Sequence, residues 1–292
     1  VDLDCYYEIG RDFISDENPK DYVIGLFCWQ IAASLNHEEA KLNLGILYYE
    51  GKFILKDLEK ATFLLQSISE SNSKAQLFLG KIYYEKKDVK NSIDYYLRAA
   101  NNNESEAQLF LGLSYIEGKI VQKDINKGFS YLNEASKSHD IKTLNEIGLF
   151  YSNVNKKFAL QCFEKGEAQN NPDSLFNHGS LLYEEASQKQ ANLNEEIEKE
   201  VEEAMEYFKR SSDQNHSKSQ FFLGAIYYEG EYIGQDIQKA IHYFALSAAQ
   251  NNCESQFCLG LIYYDGELID KDMNKAIYYF SLAADQNNRE SQ

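Results

Sequence analysis

Eight copies of one glycine-centred segment run along the 292 residues, and no other feature limits the fold so narrowly. AKLNLGILYYEG (40–51), AQLFLGKIYYE (75–85), AQLFLGLSYIEG (107–118), SQFFLGAIYYEG (219–230) and SQFCLGLIYYDG (255–266) align on their glycine. The series is Gly10, Gly45, Gly80, Gly112, Gly148, Gly179, Gly224 and Gly260, at intervals of 35, 35, 32, 36, 31, 45 and 36 residues. A fixed period near 36 marks stacked supersecondary units, none able to bury its apolar surface alone.

Each copy reads as two helices. Ala75, Leu79, Ile82 and Tyr83 follow helical spacing, not strand alternation. The first helix is expected to stop at Gly51, Gly118, Gly230 or Gly266, in the left-handed conformation. An Asp-x-x-Lys pattern then opens the second helix, with Asp57, Asp124, Asp236 and Asp272 as caps. Asn101–Asn103, Asn170–Asn171, Asn251–Asn252 and Asn287–Asn288 are the expected turns to the next copy. Two prolines in the whole chain agree with uninterrupted helices. The mid-helix glycines Gly45, Gly80, Gly112, Gly148, Gly179, Gly224 and Gly260 each cost about 1 kcal/mol against alanine. Close packing on the second helix would offset that. The matching position there is small in Ala61, Ser92, Gly128, Ala159, Ala204, Ala240 and Ala276, with Ile24 the exception.

These residues closely resemble the Sel-1-like repeat family, a relative of the tetratricopeptide repeat. Its pattern runs Ala-x-x-x-Leu-Gly-x-x-Tyr-x-x-Gly, then Asp-x-x-Lys-Ala. Copies starting at Ala40, Ala107, Ser219 and Ser255 follow it almost throughout. The resemblance implies an all-α, right-handed α/α superhelical solenoid of about eight hairpins, with first helices on the concave side. Expected repeats are 1–38, 39–73, 74–105, 106–141, 142–172, 173–217, 218–253 and 254–290, one array over 1–292. The chain begins at Val1 and Ser291–Gln292 starts a ninth copy, so a fragment of a longer array is expected. The resemblance also implies a non-catalytic scaffold or adaptor that needs no cofactor or metal. Alternatives are a permanent part of a large assembly, such as a cytoskeletal one, and a repeat region attached to an enzyme domain such as a kinase. A cysteine-rich branch linked to β-lactams staples each hairpin. The five cysteines here (Cys5, Cys28, Cys162, Cys253, Cys258) lack that pairing, which disfavours such an enzyme. They suit reduced thiols and a cytoplasmic setting.

Charge narrows the partners. Asp and Glu number 46 against 29 Lys and Arg, a net charge of −17, which argues against a phosphate-neutralising nucleic-acid groove and an anionic membrane surface. No apolar run approaches the roughly 20 residues needed to cross a bilayer. A protein partner with basic and apolar residues is expected.

The candidate surface is the first-helix face. Counting Ala75 as position one, position four holds Glu8, Asn43, Phe78, Phe110, Glu146, Asn177, Phe222 and Cys258, and position eleven holds Ser15, Glu50, Glu85, Glu117, Asn153, Glu184, Glu229 and Asp265. The candidates are Asn43, Phe78, Phe110, Asn177 and Phe222 with Glu50, Glu85, Glu117, Glu184 and Glu229. They read either as a groove with aromatic anchors and a carboxylate stripe, or as inter-repeat core beside a solvated helix end. The doubled tyrosines, such as Tyr48-Tyr49 and Tyr83-Tyr84, read as core and half-exposed wall. The sixth copy carries an acidic insertion near 184–203. Ile197, Val201, Ala204 and Phe208 form a narrow seam in it, expected to extend the second helix as a docking element or to cover its own repeat. His37, His139 and His216 fall in turns, His242 on a second helix, and His178 replaces the leucine before Gly179.

Overall fold

The structure, a computed structural model, describes residues 3–15, 19–52, 54–189, 195–266 and 269–290. The described residues form sixteen α-helices and no strand. They pair as α1 (Leu3–Ser15) with α2 (Pro19–Ser34), α3 (Glu38–Glu50) with α4 (Leu58–Gln66), α5 (Ser73–Glu85) with α6 (Val89–Asn101), and α7 (Ser105–Glu117) with α8 (Ile125–Ala135). These make one compact unit within 1–138. A second unit, within 139–292, pairs α9 (Ile141–Tyr151) with α10 (Lys156–Glu167), α11 (Pro172–Gln188) with α12 (Glu195–Ser212), α13 (Ser217–Glu229) with α14 (Ile237–Ala249), and α15 (Cys253–Asp265) with α16 (Met273–Glu290).

The helix ends follow the expected residues. Gly51, Gly118, Gly230 and Gly266 end first helices at φ of 64–72°, where a Cβ would be strained. Asp57 accepts from the backbone N–H of Glu59 and Lys60, and Asp124, Asp236 and Asp272 accept likewise from Lys127, Lys239 and Lys275. Asn103, Asn170 and Asn251 take the left-handed conformation at the turns. Asn287 and Asn288 do not: α16 runs through them to Glu290. Asn171 and Asn252 also cap the first helices that follow them, accepting from Ser174 N and Ser255 N. Ser291–Gln292 lie outside the described residues.

The glycines contact more than small residues. A Cβ built on Gly45 would lie 2.8 Å from Leu65 Cγ, on Gly148 2.3 Å from Phe163 Cε1, and on Gly224 and Gly260 2.6 Å from Phe244 and Phe280. Each bulky partner stands four residues after the small second-helix position. The small residue lets the helix axes approach, and the next turn lays a large side chain over the bare Cα. Sequence spacing within one helix does not reveal this register between two. The same geometry corrects the first copy. Gly25, not Ile24, is the small position, because a Cβ there would meet Gly10 O at 2.8 Å, as one on Gly128 would meet Gly112 O at 2.8 Å. Ile24 is 47% exposed.

Neighbouring hairpins are joined by buried glutamines as well as apolar contact. Gln76, Gln108, Gln220 and Gln256 are all under 7% exposed. Their side-chain amides donate to Ser69 O, Ala100 O, Ser212 O and Ala248 O, at 2.6, 3.1, 3.4 and 3.2 Å. Ala100, Ser212 and Ala248 lie at the ends of second helices, where their carbonyls also accept the backbone N–H of Asn103, Asn215 and Asn251, and Ser69 lies in the turn after α4. The insertion lengthens both helices of its hairpin, not only the second as expected. Ala186 of α11 is buried with Ile197, Val201, Ala204 and Phe208 of α12 in one cluster, so the seam covers its own repeat.

Candidate functional site

In the first unit, the first helices α3, α5 and α7 bring Asn43, Phe78 and Phe110 to equivalent positions. Asn43 donates to Tyr7 Oη at 3.1 Å. Phe78 is 9% exposed, packed edge-on against Tyr49 with Lys81 Nζ 4.6 Å from its ring centre. Phe110 stacks on Tyr96 at 3.9 Å and meets the edge of Tyr84 at 5.5 Å. These phenylalanines bridge one hairpin to the preceding one, and Phe110 keeps a partly open face.

The carboxylates stand about two helical turns further along the same helices. Glu50, Glu85 and Glu117 are exposed. Glu85 accepts the Tyr49 phenol and, with burial as the larger cause, pushes its pKa up to about 12. Lys56, in the loop after Gly51, reaches into the same place. Its Nζ lies 2.8 Å from Glu85 Oε2 and 5.0 Å from the Tyr49 ring centre. Tyr84 and Glu117 hold the same two repeat positions one hairpin on. The loop after α5 is four residues shorter, and Lys87 in it takes a left-handed backbone conformation. Among the described residues no cation lies over Tyr84, which is 47% exposed. Glu117 contacts only the exposed Lys119, at 3.0 Å, a pairing of little energetic weight.

In the second unit, Phe222 is half-buried between Phe176 at 5.3 Å and Phe208 at 5.6 Å, and Asn177 is half-buried on α11. Glu184 accepts from Gln188 at 2.9 Å. Glu229 is exposed and adds to burial in pushing Tyr183 up to about 12. Glu198 and Glu202 of α12 line an open cleft with Glu231, Tyr232 and the 230–234 loop. Among the described residues no group of three or more acidic, His or Cys side chains is placed to hold a metal, and no helix is long and apolar enough to cross a membrane.

Two histidines carry roles that turn composition hides. His37 and His216 cap α3 and α13 through Nδ1, which accepts from Ala40 N and Ser219 N. Capping requires the neutral ring with its proton on Nε2, and Nε2 lies 3.2 Å from Asp4 and 3.3 Å from Asp173 respectively. His178 is buried, stacked on Tyr207 at 4.2 Å with Nδ1 3.3 Å from Glu167. Burial holds His178 and His216 below the usual imidazole range against their carboxylate neighbours. Their contribution to stability is therefore full above about pH 6.5. It declines as pH falls below that value, because the unfolded chain gains protons that the native state resists. Urea titrations at pH 7.0 and 5.5 should show this loss. His216→Asn should shrink it while preserving the cap, since Asn72, Asn171 and Asn252 cap equivalent helices.

Comparison with known proteins agrees with this geometry. The Sel1 repeat model matches residues 4–37, 38–73, 73–104, 105–140, 172–216, 217–252 and 253–288. No curated protein matches the chain. A Sel1 repeat protein from Oxalobacter formigenes is 24% identical, with a TM-score of 0.64 over 98% of this chain and 84% of its own. The protective antigen c5321 of uropathogenic Escherichia coli, described as displaying an SLR fold, is 22% identical with a TM-score of 0.63. That alignment covers 98% of this chain and 62% of the antigen. Both likenesses concern the fold.

Proposed function

The chain belongs to the Sel1 repeat family, and we propose that it is a non-catalytic scaffold that binds protein segments carrying basic and apolar residues on the first-helix face. The observation that carries this reading is Lys56. The chain's own ammonium already sits between the Tyr49 ring and Glu85, a cation-binding arrangement of aromatic face and carboxylate. Tyr84 and Glu117 hold the same two repeat positions, with no lysine among the described residues over the ring. A partner Lys or Arg fits there, with an apolar neighbour against the open edge of Phe110. Glu50, Glu184 and Glu229 add negative potential that favours a basic partner's approach. Phe78 supports the surface from beneath, because little of it remains exposed.

Selection from a random peptide library on the folded chain tests this. Peptides with Lys or Arg beside an apolar residue should be enriched. Tyr84→Ala and Glu117→Gln should each weaken a selected peptide about tenfold, roughly 1.4 kcal/mol, with the far-ultraviolet spectrum unchanged. Enrichment of acidic peptides, or binding indifferent to both substitutions, would reject the first-helix face.

A further inference from the structure

The geometry points to a second docking site, on the other side of the second hairpin: a slot that accepts a tyrosine side chain from a partner polypeptide and stacks it on Tyr48. It rests on different residues from the first-helix face and stands independently of it. In four hairpins the tyrosine three residues after the key glycine is stacked by a tyrosine three residues after the small second-helix position. The pairs are Tyr83–Tyr95, Tyr115–Tyr131, Tyr227–Tyr243 and Tyr263–Tyr279, with centroids 5.5–6.0 Å apart and planes within 5°. In three of them the Asp-x-x-Lys lysine lies over the first-helix ring: Lys127, Lys239 and Lys275, at 4.3, 5.0 and 4.7 Å.

The second hairpin has the first half of this arrangement without the second. Tyr48 is present and Lys60 lies 5.2 Å from its ring centre. The stacking position, however, is Leu64, and no ring among the described residues stacks on Tyr48. What remains is an apolar cavity lined by Leu44, Tyr48, Glu59, Lys60, Phe63 and Leu64. Its volume is about 360 Å³ and it opens to solvent, so a ring can enter from outside. The floor is Leu44, 3% exposed, and the rim is Phe63, 75% exposed. Phe27 holds the same register as Phe63 on α2 and is 61% exposed, so the surface beside the slot suits an apolar segment. The four filled hairpins define the occupant: an aromatic ring parallel to Tyr48. The stacking residue is tyrosine in all four, Tyr95, Tyr131, Tyr243 and Tyr279, which makes tyrosine the occupant, while Lys60 stays with Tyr48 as Lys127 stays with the Tyr115 phenol oxygen at 2.8 Å.

Titrating the ¹⁵N-labelled chain with N-acetyl-L-tyrosinamide tests the slot. Amide shifts should move at Tyr48, Lys60 and Leu64 with millimolar affinity, and N-acetyl-L-leucinamide should bind at least about tenfold more weakly. Leu64→Tyr rebuilds the internal stack, so it should abolish those shifts and melt no lower than the parent. Tyr48→Leu removes the stacking face and should abolish them independently. Equal binding of the leucine compound, undiminished binding by either variant, or no shift at these residues would overturn the proposal. So would the same shifts arising with protein concentration alone, which would give the slot to a second copy.

Discussion

Phe163→Ala is expected to lower the unfolding free energy by about 3–5 kcal/mol, the range for removing a fully buried ring. Phe163 is 0% exposed and covers Gly148, where an added Cβ would fall 2.3 Å from Cε1. The two positions are therefore coupled. Gly148→Ala alone should destabilise by about 1–3 kcal/mol through overpacking, after the ~1 kcal/mol that alanine returns in helix propensity. With Phe163 already alanine the obstruction is gone, and Gly148→Ala should become neutral or stabilising. A double-mutant cycle by urea denaturation reads that sign change. Gly80→Ala is the internal comparison: its Cβ would stand 3.1 Å from the Tyr96 ring, so its cost should be smaller. Additive effects at 148 and 163, or equal costs at Gly80 and Gly148, would show that the glycines are not where bulky side chains cross.

Val201→Asp should be comparably severe, at about 3–5 kcal/mol, because it leaves a carboxylate buried without a partner. Val201 is 0% exposed and packs in the cluster that holds Ala186 and Ile197. Glu198, Glu202 and Glu203 surround it on the exposed faces of α12, so neighbouring charge opposes a new carboxylate instead of compensating it. Glu202→Ala, on the exposed face, should change stability by less than about 0.5 kcal/mol. Thermal melts separate the outcomes. A Val201→Asp chain that melts with the parent would mean that the acidic insertion projects from its hairpin and keeps its seam for a partner.

The hairpins, the αL glycines and the aspartate caps were legible because each depends on residues close in sequence. What the sequence hid depends on register between helices. Gly148 announces a close approach, yet nothing local says that the approaching group is Phe163. Nothing in the sequence around Gln76 and Gln220 shows that each clasps a carbonyl at the end of the preceding hairpin. Phe78 and Phe222 stand at the same position but differ in exposure, because Lys81 and Tyr49 close over the first. His37 and His216 read as turn residues until the backbone places Nδ1 against the next helix. The candidate surface was legible as a stripe of glutamates, and its emptiest place was not. That place depends on a loop shortened by four residues, which leaves the ring at the end of α5 without a counterpart of the lysine that covers Tyr49.

In the proposed function, Tyr84 and Glu117 together receive a partner's cation as Tyr49 and Glu85 receive Lys56. A charge exchange tests it most directly, using a selected lysine-bearing peptide and isothermal titration at fixed salt. Glu117→Lys should weaken binding of that peptide at least about tenfold, and replacing the peptide's lysine by glutamate should restore much of the loss on the variant while weakening binding to the parent. A Glu117→Lys chain that binds the original peptide as the parent does, or a loss that the exchanged peptide does not recover, would contradict the account.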